Sequence, residues 1–388
     1  MEKVISIINN KVMIKRIKSY IANLPHKYIE LLSYRVRYKF AKTDLAKSLP
    51  NAKSINKKQH ETINKYWKPF LKNCLQKKAF DIRWFNIYNQ TNKFGYKLER
   101  FIPDGYYYSI VDPFLTNVMA SYVMDDKNLY DLYFPDANKP KTIIHKINRI
   151  FLDDNYNIIS ENEAVNKCIQ YNVIVKPSVS TVQGKGIVAW KKDNDIEELK
   201  KALKSVDNLV VQEFIEQHQV LSDFCDSCVN TMRLVTLLWN NEVHLTSSVL
   251  IMGGANAKTN HLHGGGIVCG ILPSGQLQSM AFDGKLNCYE KHPNGQVFSE
   301  ITVPNFEKCV DLVKKLAPRI SGVSKLLNWD VTLDKNGNPI LIEVNITWGG
   351  SVQIAGGPAL GDLTEEILTA IAQQKNKIYG IYNIKQRR

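Results

Sequence analysis

Two carboxylates and a carboxamide stand close together in the stretch LNWDVTLDKNGNPILIEVN, residues 327–345. It reads as two short strands joined by Asn336-Gly337, a pair that favours tight hairpins because both turn residues take positive φ. A two-residue loop sets Lys335 against Asn338 and, counted outward, Asp330 against Glu343. Alternation puts Glu343 and Asn345 on one face of the second strand, with Ile342 and Val344 on the other. Directly opposed like charges destabilise a sheet. The arrangement makes sense around a hard divalent cation, since Mg²⁺ takes carboxylate and amide oxygens together with substrate phosphates. Taken alone, the stretch also reads as the solvent face of an ordinary hairpin.

Other residues with chemical potential are spread along the chain. In YNVIVKPSVSTVQGKGIVAW (171–190) a buried strand ends at Lys176 and a small, polar, glycine-bearing loop follows. Such a loop lets backbone N–H groups approach phosphate oxygens, although GKG lacks Walker spacing and an ordinary turn explains it equally. NLVVQEFIEQ (208–217) is a strand that turns polar at Gln212-Glu213, an edge able to offer backbone donors and acceptors to a flat base. Arg233 interrupts the apolar strand of a hairpin (229–253) whose turn is Asn240-Asn241; an arginine pointing to solvent is the simpler account. Lys127 sits near the start of a short helix beginning at about Asp126, with Asp125 and Asp126 as capping residues. Cys225-x-x-Cys228 has no second pair at zinc spacing. His261 and His263 read as loop residues, for lack of further ligands.

The elements that must position these groups follow from pattern. Residues 1–95 read as mainly helical, including helices at 26–40 and 57–78. The aromatic-rich stretch 84–108 reads as core and inter-domain packing. Ser160 and Glu163 form a capping box for a helix at 160–170. DIEELKKALKSV (195–206) is amphipathic. PNFEKCVDLVKKLAPRI (304–320) is a helix with Pro at its first turn. WGGSVQIAGGPALG (348–361) reads as a glycine-rich loop, and a C-terminal helix starts at Asp362.

Length allows two or three domains with a large core. No run of about 18 apolar residues is present to span a bilayer, and no cleavable signal pattern is evident at the start. Seven scattered cysteines suit reduced, cytoplasmic thiols. Charge is uneven. Residues 1–100 hold 23 Lys+Arg against 6 Asp+Glu, a balance of +17, and the remainder holds 28 against 31, or −3. The basic part is either the solvated surface of a helical domain or a dock for an anionic partner. Nucleic acid is disfavoured, because no recognised motif accompanies the charge.

Taken in order, the pieces DDKNLYDLYF, VIVKPS, STVQGKG, VVQEFI, NTMRLVT and NWDVTLD…LIEVN resemble the ATP-grasp superfamily, in particular its sugar-transfer-associated members, over roughly residues 100–370. The resemblance implies an α/β (α+β) ATP-grasp fold with a nucleotide held between two α+β subdomains, beside a helical basic N-terminal region. It implies boundaries at 1–95 (basic helical region), 96–160 (linker and first subdomain), 161–217 (nucleotide clamp) and 218–388 (catalytic, metal-binding subdomain).

It further implies that Lys127 and Lys176 hold phosphates. A flap from Ser180 to Gly186, with Gln183 and Gly184, closes over them. Gln212, Glu213, Phe214 and Ile215 read adenine, and Glu216 or Asp223 holds the ribose. Asp330, Glu343 and Asn345 bind one or two Mg²⁺ ions, with Mn²⁺ as a substitute, and Arg233 faces the γ-phosphate and the acyl intermediate. The implied activity is ATP-dependent carboxylate–amine ligation. Its implied substrates are a carboxylated sugar or glycan and an amine or amino acid, in capsule or lipopolysaccharide synthesis at the cytoplasmic side, with possible peripheral contact of residues 1–95 with an anionic membrane or lipid-linked glycan. A sugar or polyol kinase and a non-catalytic glycan- or membrane-binding adaptor are the alternatives.

Overall fold

In a computed structural model the chain forms two antiparallel sheets, with helices on their faces. The structure describes residues 36, 38–39, 41–72, 74, 77–179, 186–255, 257, 259–346 and 351–373. The helix expected at 26–40 lies largely outside these residues. No helix among the described residues is long and apolar enough to cross a membrane.

After a helical stretch at 41–48, which buries Ala41 and Leu45, come α1 (Lys57–Leu71) and α2 (Trp84–Thr91). Asn56 caps α1 through Gln59 N, with the Gln59 side chain returning to Asn56 N, so two otherwise unpaired N–H groups are satisfied. The helix stops at Leu71 rather than at 78, just past Pro69, whose ring is incompatible with the preceding turn. Trp67 is fully buried among Phe70, Phe80 and Tyr106. The aromatic stretch is core, as its composition suggested.

The smaller sheet has the order β3-β2-β1-β6-β4-β5. Its strands are β1 (Thr142–Ile147), β2 (Ile150–Asp153), β3 (Ile158–Ile159), β4 (Val173–Pro177), β5 (Val188–Trp190) and β6 (Leu209–Glu213). Ahead of it, a 3-10 turn (Lys127–Leu129) runs into the short α3 (Tyr130–Tyr133). Asp126 alone caps that turn; Asp125 ends the preceding helix. Helices α4 (Glu161–Cys168) and α5 (Ile196–Lys204) cover one face, α4 with the expected Ser160–Glu163 box.

The larger sheet has the order β11-β10-β9-β8-β7-β12-β13. It comprises β7 (Thr231–Trp239), β8 (Glu242–Met252), β9 (Ile267–Ile271), β10 (Leu277–Asp283), β11 (Cys288–Tyr289), β12 (Leu326–Leu333) and β13 (Pro339–Asn345). Asn240 and Asn241 both take positive φ, as a two-residue hairpin demands. The helix α6 (Phe306–Leu316) packs on the face bearing Met232, Leu234, Trp329 and Val331. Pro304 lies before the N-cap, Asn305, which takes positive φ, so the expected first-turn proline stands outside the helix. The opposite face, with Val235, Leu237 and Val249, shares one core with Trp67, Phe85 and Tyr88 of the N-terminal helices and with α7 (Ser351–Gly356) and α8 (Thr364–Gln373). The segment 348–361 is therefore not wholly loop. Val352 and Ala355 are buried, and a Cβ on Gly356 would stand 2.2 Å from Ser247 Oγ, so that glycine sets how closely α7 lies on β8.

Candidate active site

The β12–β13 hairpin carries the expected pairing by a different route. Asp334 pairs across to Asn338, leaving a three-residue loop in which Gly337 takes φ +80° and Asn336 is not at positive φ. The Asp334 carboxylate accepts from Asn336 N (2.9 Å) and Asn338 N (2.8 Å), which satisfies the turn without a left-handed Asn336. An extra residue in β13, between Leu341 and Glu343, then shifts the register back. Asp330 faces Glu343 because two irregularities cancel. The bulge also moves Leu341 into the core beside Val344, while Ile342 is only half-buried, against the expected alternation.

Glu343, Asp330 and Arg233 lie side by side across β13, β12 and β7. Arg233 donates from Nε to Asp330 Oδ1 (2.8 Å) and from Nη2 to Asp330 Oδ2 (2.7 Å). This is a bidentate, charge-assisted pair. Arg233 therefore does not point to solvent, and its first partner is Asp330. Burial disfavours its charge, yet Asp330 holds its pKa above the usual arginine value. Asn345 Nδ2 donates to Asp330 Oδ2 at 3.1 Å. Arg233 and Asn345 thus both donate to the one Asp330 carboxylate.

Lys127 completes the cluster from outside the large sheet. Its Nζ stands 3.4 Å from Glu343 Oε2, with the lysine side chain only 7% exposed. Its turn is fixed to the small sheet: Lys127 N donates to Ser178 O (2.9 Å), Asn128 Oδ1 meets His145 Nδ1 (2.9 Å), and Tyr156 OH donates to Asn128 O (2.5 Å). The same segment grips the large sheet, where Tyr130 OH donates to Val344 O (3.2 Å) and accepts from Val344 N (3.1 Å). Lys176 projects from β4. Burial, then the nearby Lys127, push its pKa down to about 8, and Glu343 opposes the shift.

Other expected residues are placed as follows. Ser180, Gln183 and Gly184 lie outside the described residues; Gly186 takes φ +83°. Gln212 is buried and reaches Thr142 Oγ1 (3.4 Å). Glu213 N and Phe214 N are committed to Lys141 O and Asn172 O (2.9 and 3.0 Å), whereas Ile215 N has no partner among the described residues. Glu216 is exposed and pairs with Lys335 at the hairpin tip (2.8 Å). Asp223, also exposed, accepts from Gln219 Nε2 (2.5 Å). The Cys225 and Cys228 sulfurs lie 3.2 Å apart as free thiols.

Sequence reading missed Asn328 and Ser178. Asn328 faces Asn345, is fully buried, and its Oδ1 has no partner among the described residues; Ser178 Oγ is likewise buried and unpartnered. An available signal was Asn328-x-Asp330-x-Thr332, three polar residues on one face of a strand whose other face is apolar.

The donor set fits a hard cation. Asp330, Glu343 and Asn345 offer only oxygen ligands of the kind Mg²⁺ or Mn²⁺ prefers. Among the described residues no group of three His, Cys, Asp or Glu is placed to hold a metal, so a cation at Asp330 and Glu343 would need further oxygens from a ligand or water. Arg233 uses two of five N–H donors on Asp330; Asp330 Oδ1 keeps a further lone pair, whereas Oδ2 accepts from both Arg233 and Asn345.

The chain resembles several solved structures at low identity. An L-amino acid ligase from Bacillus licheniformis is 18% identical, with 65% of this chain and 49% of that chain covered and a TM-score of 0.38. D-alanyl-alanine synthetase A from Vibrio cholerae O1 biovar eltor is 14% identical, with 66% of each chain covered and a TM-score of 0.40. Biotin carboxylase from Campylobacter jejuni is 13% identical, with 66% and 48% covered and a TM-score of 0.40. The chain thus spans between about half and two thirds of those proteins' lengths. No curated protein matches. The family model for sugar-transfer associated ATP-grasp proteins matches residues 116–369, from before the Lys127 turn to within α8. With that match over well over half its length, the chain belongs to the sugar-transfer associated ATP-grasp family.

Proposed function

We propose that the chain is an ATP- and Mg²⁺-dependent carboxylate–amine ligase that joins an amino acid or amine to a carboxylated sugar during capsule or lipopolysaccharide assembly. The observation that carries this reading is the cluster of Lys127, Glu343, Asp330, Arg233 and Asn345, four groups of the large sheet met by the lysine of a turn fixed to the small one. Residues 1–95 are read as a basic helical region, 96–160 as linker and first subdomain, 161–217 as nucleotide clamp and 218–388 as catalytic subdomain. The work is assigned to the cytoplasm, whether or not the chain touches the inner face of the membrane.

In this mechanism Lys127 and Lys176 bind the polyphosphate, each replacing a neighbouring lysine's repulsion with an anion's attraction. Gln212 to Ile215 receive adenine, and Ile215 N is the open backbone donor. Ser180 to Gly186 close over the phosphates, and Glu216 or Asp223 takes the ribose. Asp330, Glu343 and Asn345 would hold Mg²⁺, which supplies charge neutralisation at the transferring phosphoryl group. The substrate carboxylate attacks the γ-phosphorus, giving an acyl phosphate and ADP. The amine then attacks the acyl carbon, and phosphate leaves. Arg233 keeps three N–H donors for the acyl oxygen as it gains negative charge. Exclusion of water protects the acyl phosphate from hydrolysis.

The test is ADP and phosphate release from Mg-ATP with uronic-acid glycans crossed against amino acids. Both products together, dependent on both acid and amine, are expected. ADP with a phosphorylated acceptor and no free phosphate would replace the ligase by a kinase. Nucleotide binding without turnover for any pair would favour an adaptor.

A further inference from the structure

Helix α1 has two opposite faces with different fates. Ile63 and Trp67 are buried, with Tyr66, Phe70 and Leu71 half-buried beside them. At 100° per residue, Lys58, Lys65, Lys68 and Lys72 fall within one arc on the far side. These lysines are exposed and, like Lys57, have no ion-pair partner among the described residues. Glu61 is the single acid in the arc. The stripe runs about 21 Å, from 14 residues at the helical rise. From 41 to 72 the chain has eight lysines and two acids, Asp44 and Glu61.

Other surface helices are different. On α5, Lys200 pairs with Glu197 (2.7 Å) and Lys204 with Glu161 (2.8 Å). On α6, Glu307 and Asp311 intersperse with Lys308, Lys314 and Lys315. A stripe of four unpaired lysines with one acid raises the cost of folding through self-repulsion and makes sense beside a negative partner.

We infer that the lysine face of α1 docks on an anionic lipid surface. The apolar face of α1 is already spent in the core, so contact is electrostatic, at headgroup level, without insertion. Trp67 is buried and Tyr66 and Phe70 are half-buried, so the face offers no exposed ring on which a base or sugar stacks. What it reads is charge density along a line, which a plane of anionic headgroups supplies. Trp67 shares a core with Val235 and Leu237 of β7, the strand bearing Arg233. A docked α1 therefore holds the catalytic strand rigidly to the bilayer. This inference goes beyond the ligase reading and does not depend on it.

The test is flotation of the full chain with vesicles of phosphatidylcholine alone or mixed in equal parts with phosphatidylglycerol. Binding is expected to the mixed vesicles only, and to weaken as salt shortens the Debye length. Replacing Lys58, Lys65 and Lys72 together by Gln should lower partitioning about a hundredfold, at about fivefold per basic residue. Replacing Lys308 and Lys314 by Gln should leave it unchanged. Equal binding to neutral vesicles, or a triple variant that partitions like the unaltered chain, would overturn the inference. So would retention on a soluble polyanion, heparin, sensitive to the same lysines, if vesicles are not bound. Turnover is not measured, so failure here leaves the ligase proposal standing and the reverse also holds.

Discussion

The two sheets offer opposite charges to the space they share. The small sheet contributes Lys176 directly and fixes the turn that bears Lys127. The large sheet contributes Asp330 and Glu343, with Asn345 between strands and Arg233 already satisfied by Asp330. Only one ion pair joins the two sets among the described residues, Lys127 to Glu343. A ligand with anionic phosphates and a bound cation would match this pattern, its oxygens at the lysines and its cation at the carboxylates. Neither sheet alone carries both halves.

The strongest way to break this comparison is at Asp330. Asp330→Asn removes the negative charge with little change of shape. ADP release should fall about 1,000-fold, equivalent to about 4 kcal/mol. It should also destabilise the fold by about 3–5 kcal/mol, because Arg233 is left buried without its counter-ion. Adding Arg233→Met to Asp330→Asn should recover part of that loss in urea unfolding. An Asp330→Asn enzyme within tenfold of normal turnover would remove the carboxylate from the chemistry.

At the small sheet, Lys176→Met should weaken ADP binding about 100-fold, the loss of one buried charge-assisted contact of roughly 3 kcal/mol. Calorimetric titration reads this directly, and unchanged affinity would take Lys176 out of the phosphate site.

The strap between sheets gives a smaller effect. Tyr130→Phe leaves Val344 N–H buried without its acceptor, so unfolding free energy should drop by about 1–3 kcal/mol. A variant as stable as the parent would show that the grip on β13 is replaceable.

The smallest effect is in pH. Free Lys176 loses its charge near pH 8, because burial lowers its pKa. Phosphate binding favours the charged form, so affinity is full below pH 8. Above it, ADP binding must take up a proton, and the dissociation constant should rise by up to about tenfold per pH unit. Lys176→Arg, which stays charged, should flatten that profile. A break that survives in Lys176→Arg belongs to another group.

Much of this was legible in the chain. The capping box at Ser160, the Asn240-Asn241 turn and the aromatic core follow from local rules, because the groups that satisfy each other lie within a few residues or share one periodic face. Local rules also misled. Asn336-Gly337 suggests a two-residue loop, but Asp334 satisfies the turn's N–H groups and makes a three-residue loop the better solution. Glycines in 348–361 suggest loop, but α7 needs Gly356 small where it lies against Ser247. Burial against a distant strand outweighs intrinsic propensity there.

The sequence by itself determined the kinds of donor: side-chain oxygens at Asp330, Glu343 and Asn345 on hairpin spacing, lysines at strand and helix ends, and a basic first hundred residues. It also carried the ordered motifs of the family. Beyond the Asp330–Glu343 pairing, tertiary structure alone decided which groups meet. Arg233 reaches Asp330, 97 positions away, because β7 lies beside β12 in the sheet order. Lys127 reaches Glu343 because its segment is gripped by both sheets. Side-chain periodicity specifies a face, but not the strand laid next to it; that choice belongs to the packing of two whole cores.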